Sequence, residues 1–332
     1  MRVVCADRFY MVEEAIKKIE EAGGLIWADC KSEDELVEKV RNNRAKVIIS
    51  EYFKITGRVM DASPMLKGIV VWGVGYDHVD VNAASERGIY VANTRGSNAE
   101  SVAEHSFALI LALSRKIIQA NAFVKGGKWV TREEAGLPHE MVAQDLYGKT
   151  LGIVGLGAVG SRVARIAHGF GMRILAHDPY VSAESANEAK VELINLERLF
   201  EESDFVTIHV SLNKETKGLI GRKYLNLMKP TAYLINSSRG PVVNEEALID
   251  ALKKRKLAGA GLDVFEKEPV DPDNPLLKFD NVIVSPHCAG NSEEALRATS
   301  LMVSEETLRI LDDQIPRNLV NRLQLIEKGY LR

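Results

Sequence analysis

The feature that most narrows the folds open to this chain is the run from Thr150 to Ala167. Leu151 to Val154 is an apolar segment of strand length. Gly155, Gly157 and Gly160 follow at G-x-G-x-x-G spacing, and Val159, Val163, Ile166 and Ala167 then recur at helical spacing. Each glycine has its own physical reason. Gly155 allows a tight turn, Gly157 lets the backbone approach a pyrophosphate, and Gly160 lets helix and strand pack without a Cβ between them. The helix N-terminus adds unpaired N–H groups and partial positive charge. Three glycines alone are weak evidence, since any tight βα turn can produce them. However, a second strand from Met172 to His177 ends in Asp178, near the offset of about 20 residues at which an acid receives the adenosine ribose. Asp178 before Pro179 also reads as a plain turn residue. Together with the glycines, it favours a dinucleotide, and because a carboxylate repels a 2′-phosphate, NAD ahead of NADP.

The rest of the chain supplies a sheet for this turn. From Thr150 onward six strands are predicted, at 151–155, 172–177, 205–210, 231–235, 258–263 and 281–285, with helices at about 158–170, 195–202, 221–228 and 244–255. Six parallel strands with this alternation match two mononucleotide-binding halves. The first ninety-odd residues also alternate short apolar strands with amphipathic helices, without phosphate-binding glycines in their first turn. A long, nearly all-apolar helix is expected from Asn98 to about Val124, buried between layers or subunits. An aperiodic arm follows from Gly126 to Gly148. A last amphipathic helix, Ser292 to Asp313, returns after the sixth strand. The fold expected is therefore α/β, with two doubly wound parallel-sheet domains. A Rossmann domain, 99–289, is inserted into a discontinuous flavodoxin-like domain, 1–98 plus 290–332, and the crevice between them is the natural substrate site.

Charge and cysteine content limit the partners. A net charge of −3 on 332 residues gives no reason to expect nucleic acid or an anionic membrane. The basic cluster Lys253 to Lys256 reads as a solvated helix C-terminus. Cys5, Cys30 and Cys288 share no zinc or redox spacing, so no metal is expected and reduced thiols in a cytoplasmic compartment are. The N-terminus enters a strand directly, with no leader pattern, and no apolar run nears the ~18 residues of a membrane span.

In a doubly wound sheet, ligands bind at the carboxyl ends of the strands. Arg239 follows the fourth predicted strand, Glu268 the fifth and His287 the sixth, on the same edge as the Gly155 turn. Singly, each has an ordinary alternative: a surface ion pair, a solvated acid, a packed turn histidine. Their coincidence on one edge favours chemistry, with a guanidinium, a carboxylate and an imidazole near the nicotinamide end of a bound dinucleotide.

Over essentially its full length the chain resembles the D-isomer-specific 2-hydroxyacid dehydrogenase family. The matching pieces are Gly73 to Asp80, Asn98 to Glu104, the Gly155 turn with Asp178, Ile235 to Gly240, Asp263 to Pro269, and Pro286 with His287. The resemblance implies an NAD-dependent oxidoreductase acting on a CH–OH group, in which hydride passes between nicotinamide and C2 of a small 2-oxo or 2-hydroxy acid such as glyoxylate or hydroxypyruvate. His287 would be the acid/base, Glu268 would fix its tautomer and favour the imidazolium, and Arg239 would hold the substrate carboxylate. Val74 and Gly75 N–H groups would take the other carboxylate oxygen. Gly155, Gly157, Ala158, Val159, Gly160, Asp178, Val210, Leu212, Ser237 and Asp263 are the implied cofactor contacts. A homodimer through the Asn98–Val124 helix and the arm around Trp129 is implied as well.

The chain departs from the family pattern at Ser211 and Arg95, both positions where proline is common. Arg95 reads either as a contact to a distal acidic group of the substrate or as a surface ion pair. Ser50 and Phe53 stand where phosphoglycerate-specific relatives tend to carry Arg and Thr, which weakens that assignment. Phosphite oxidation on the same scaffold, and an NADH-sensing scaffold like the corepressors of this fold, are the competing readings. Glu268, where formate enzymes carry Gln, argues against formate.

Overall fold

The computed structural model describes residues 2–129 and 141–331. The chain divides into two compact units, Met1–Asn98 with Asn291–Arg332, and Ala99–Gly290.

The first unit carries a five-stranded parallel sheet: β1 (Arg2–Cys5), β2 (Leu25–Trp27), β3 (Ala45–Ser50), β4 (Gly68–Val71) and β5 (Tyr90–Ala92), in the order β2-β1-β3-β4-β5. This is a doubly wound order. All six residues of β3 are buried, as a central parallel strand covered on both faces requires. Successive side chains point to opposite faces. Val4, Ile48 and Ile69 therefore pack with Leu36 and Val40 of the Glu33–Asn42 helix, while Val3, Val47 and Val70 pack with Ile19 and Ile310. Ile310 lies on the late helix Glu293–Leu311, so the end of the chain closes the face that the first helix, Glu13–Gly23, leaves incomplete.

The second unit holds seven parallel strands: β6 (Thr150–Val154), β7 (Arg173–His177), β8 (Glu192–Leu193), β9 (Phe205–Ile208), β10 (Tyr233–Asn236), β11 (Gly259–Leu262) and β12 (Val282–Val284). Their order is β12-β11-β10-β9-β6-β7-β8, with the reversal at β6 and β9 that defines the Rossmann crevice. Six of them correspond to the predicted strands. The seventh, β8, is a two-residue edge strand paired with β7, too short to leave an apolar run in the sequence.

The expected helix from Asn98 to Val124 is two helices, Ala99–Ser114 and Ile117–Lys125, bent by 60°. Lys116 adopts a left-handed conformation, φ +55°, and its Nζ reaches Tyr233 Oη at 3.1 Å. The Ser114 carbonyl accepts from the Gln144 N–H at 2.8 Å instead of continuing the helical ladder. Tertiary partners of the last turn therefore break a pattern whose apolar periodicity runs on. The first helix is buried against the sheet, while the second has no buried residue. Of the expected arm, 130–140 lies outside the described residues. No single helix among the described residues is long and apolar enough to cross a membrane.

Candidate active site

The glycine turn sits at the reversal point. Gly155 has φ +93°, and a Cβ there would lie 2.8 Å from the His209 carbonyl oxygen and from Val210 Cγ1. Val210, at the tip of β9, thus forms one wall of the turn. A Cβ on Gly160 would lie 2.1 Å from the Gly155 oxygen, so helix and turn meet backbone to backbone. Gly157 has open space around its would-be Cβ and caps the Ala158–Gly169 helix without any side-chain acceptor. Gly157 and Ala158 are exposed, while Val159 tucks into the core behind them. The first-turn N–H groups are therefore presented to solvent over a cradle with no side chain in it, which fits a pyrophosphate.

Both carboxylate oxygens of Asp178 are engaged by nearby backbone. Its Oδ1 accepts from the Tyr180 N–H at 2.9 Å, as a turn residue would, and its Oδ2 accepts from the Leu156 N–H of the glycine turn at 2.8 Å. Each oxygen retains a further lone pair. Leu212, by contrast, packs partly buried against the core, and Ser237 is buried with its hydroxyl 2.6 Å from that of Ser106.

Three loops at the same edge carry the reactive groups. After β10, Asn236 Oδ1 accepts from Ser238 N–H and its Nδ2 donates to the Arg239 carbonyl, which fixes the backbone on both sides of Arg239. A Cβ on Gly240 would stand 1.8 Å from the Phe265 carbonyl oxygen, so the loops of Arg239 and Glu268 touch through their backbones. After β11, Glu268 Oε1 accepts from the Phe265 N–H at 2.9 Å, and its Oε2 lies 2.7 Å from His287 Nδ1. Burial disfavours the Glu268 carboxylate. The bonds from His287 and Phe265, with the charges of His287 and Arg239, outweigh it and hold the carboxyl below its usual range.

His287 itself has φ +52°, a conformation uncommon for a residue with a side chain. Asp263 holds that turn in place. Its backbone carbonyl accepts from His287 N–H at 2.8 Å, and its carboxylate accepts from Cys288 N–H at 3.0 Å, Ala289 N–H at 2.8 Å and Ser285 Oγ–H at 2.6 Å. Asp263, implied as a cofactor contact, is fully buried beneath the turn, where it anchors His287. Sequence reasoning missed Asn236, Gly240, Ser285 and His105, whose Nε2 is 2.9 Å from Ser285 Oγ. The signal for His105 is an imidazole just before the apolar run from Phe107 to Leu113 of its helix. Among the described residues, His209 at the same edge has no carboxylate bonded to it. Burial pushes its pKa down to about 3, so it stays neutral.

In the first unit, the loop after β4 is tied to the loop after β5. Asn93 Nδ2 donates to the Val74 carbonyl at 2.7 Å and Thr94 N–H to the Gly73 carbonyl at 3.0 Å. Among the described residues, neither the Val74 nor the Gly75 N–H has an acceptor. Arg95, next in the same loop, is exposed and makes no hydrogen bond or ion pair among the described residues.

With this geometry in hand, comparison with known proteins decides the family. Residues 107–289 match the model of the D-isomer specific 2-hydroxyacid dehydrogenase, NAD binding domain. The chain belongs to this family. It is 45% identical over 313 residues to a glyoxylate reductase of Korarchaeum cryptofilum, covering 93% of each chain. It is 41% identical to a D-3-phosphoglycerate dehydrogenase of Methanocaldococcus jannaschii, covering 93% of this chain but 57% of that one. Among solved structures, an NADPH-dependent glyoxylate/hydroxypyruvate reductase of Sinorhizobium meliloti, in complex with NADP and malonate, superposes with a TM-score of 0.83 at 29% identity, covering 98% of this chain and 97% of that one. The protein is thus an NAD-dependent oxidoreductase acting on a CH–OH group of 2-hydroxy acids, with the two-domain α/β architecture of its relatives.

Proposed function

We propose that this dehydrogenase reduces glyoxylate, hydroxypyruvate or a similarly small 2-oxo acid with NADH, using His287, Glu268 and Arg239. The observation that carries the reading is the 2.7 Å His287–Glu268 pair, held on a strained turn at the edge that bears the glycine cradle. Bound NADH supplies the hydride. His287 gives the proton to the forming alkoxide, and Glu268, accepting from Nδ1–H, leaves Nε2 as the atom that carries it. Arg239 pairs its planar fork with the substrate carboxylate. The acceptor-free N–H groups of Val74 and Gly75 are the second carboxylate contact, which makes residues 1–98 and 290–332 the substrate domain. The relatives named glyoxylate reductase support the substrate class. The test is NADH oxidation with a panel of 2-oxo acids. Fast turnover of glyoxylate or hydroxypyruvate is expected, whereas tight NADH binding with negligible turnover on every acid favours the sensor reading.

The ribose role of Asp178 has its own test. Asp178→Asn keeps an acceptor for the Leu156 N–H but removes the charge, so it should cut the NADH-over-NADPH ratio of kcat/KM about tenfold or more. An unchanged ratio refutes the assignment. Arg95 supports a preference for a distal acidic group, since a charge without a partner among the described residues is available to a ligand. Arg95→Ala should then cost about tenfold on a 2-oxo diacid and little on glyoxylate. Equal losses on both defeat that reading.

A homodimer in the cytoplasm completes the proposal. Ile117, Ile118 and Val124 on the unburied helix, with Trp129 and Tyr147, leave large apolar side chains exposed, which supports a second copy as their cover. The three free cysteines suit a reducing compartment. Light scattering should return twice the chain mass; a stable monomer contradicts the dimer.

A further inference from the structure

Although cysteine spacing offers no zinc motif, the second unit gathers three ligand types around one point. His105 comes from the Ala99–Ser114 helix, Asp263 follows β11 and Cys288 follows β12, and one ligand atom of each lies within 4.8 Å of the others. His105 Nε2 stands 3.6 Å from Asp263 Oδ1. Around a tetrahedral zinc with bonds of roughly 2.0–2.3 Å, neighbouring donors are about 3.3–3.6 Å apart. The His–Asp edge is therefore already near that separation, and the Cys288 sulfur lies within 4.8 Å of a donor atom of each. Ser285 Oγ, 2.9 Å from His105 Nε2 and 2.6 Å from Asp263 Oδ1, hydrogen-bonds both donors in the metal-free chain and gives up those bonds when an ion binds. Imidazole, carboxylate and thiolate together suit zinc and its thiophilic neighbours, not magnesium or calcium. Asp263 is fully buried and fixed by two backbone N–H groups, while His105 and Cys288 are half-exposed, so the site is preorganised on one side and open on the other.

We infer that His105, Asp263 and Cys288 form a binding site for a thiophilic divalent cation of the zinc class, and that its occupancy stops turnover. Binding breaks the Cys288 S–H bond and forms a metal–sulfur bond; the proton passes to solvent and no electrons move. The inhibitory half rests on the proposed role of His287. That residue directly precedes Cys288 and is turned by Asp263, so a cation gripping both flanks re-aims the ring. The binding half is independent of it.

The test titrates the metal-stripped full chain with Zn2+ against a chromophoric chelator, then with Co2+ while following thiolate-to-cobalt charge-transfer absorption. One ion per chain, that absorption band and turnover falling with occupancy are expected. Cys288→Ser should abolish the band and weaken Zn2+ binding at least tenfold, and His105→Gln should weaken it without removing the band. Zn2+ affinity unchanged in Cys288→Ser, or no band in wild type, overturns the site. Full turnover of wild type at full occupancy overturns the inhibition, whereas failure of the His287 assignment appears separately, in the metal-free His287→Ala variant.

Discussion

His287→Ala should lower kcat with glyoxylate or hydroxypyruvate by about 10²–10⁴-fold, the span that a positioned general acid contributes. NADH affinity, measured by fluorescence titration, should change little. The reason lies in the placement of the ring: His287 is on a turn held by Asp263, while the glycine cradle and Asp178 are built from β6, β7 and β9. The loss should fall mainly on kcat, because proton transfer is made in the transition state and substrate binding is assigned to Arg239. Wild-type turnover in the variant would mean that the 2.7 Å pair with Glu268 is only structural.

Gly240→Ala is the second large effect, and it tests the scaffold instead of the chemistry. The added methyl would stand 1.8 Å from the Phe265 oxygen and 2.6 Å from the Glu266 nitrogen, and both are backbone atoms that no side-chain rotation can clear. The Arg239 and Glu268 loops must therefore separate by roughly 1 Å or more, a misplacement that can cost about 10²-fold in rate. Overpacking of this kind costs about 1–3 kcal/mol of stability, or several degrees in Tm for a unit of this size. The signature distinguishing it from His287→Ala is that kcat/KM and Tm fall together. A variant with wild-type Tm and kcat/KM would show that the loops do not meet as described.

Much of this protein can be read from residue order, because the decisive constraints are local. Strand, glycine turn and helix from Leu151 to Ala167 follow from two positions that cannot carry a Cβ, Gly155 and Gly160, from the bare Gly157 between them, and from apolar periodicity on either side. The same periodicity yields both parallel sheets, since short wholly buried strands alternating with amphipathic helices have few other solutions. Arg239, Glu268 and His287 could be grouped because each follows a strand, and parallel strands deliver their C-terminal ends to one edge.

Tertiary structure alone decided what depends on partners distant in sequence. The break at Lys116 arises because Ser114 and Lys116 find Gln144 and Tyr233, which no local pattern announces. Strand β8 exists only through its pairing with β7. The positive φ of His287 and the use of Asp263 as its buried anchor follow from hydrogen bonds between the β11 and β12 loops. The grouping of His105, Asp263 and Cys288 likewise needs a helix and two strand tips packed together. Periodicity and backbone sterics act over a few residues and are written in their order, whereas a hydrogen bond across the sheet edge depends on distances that only the folded chain sets.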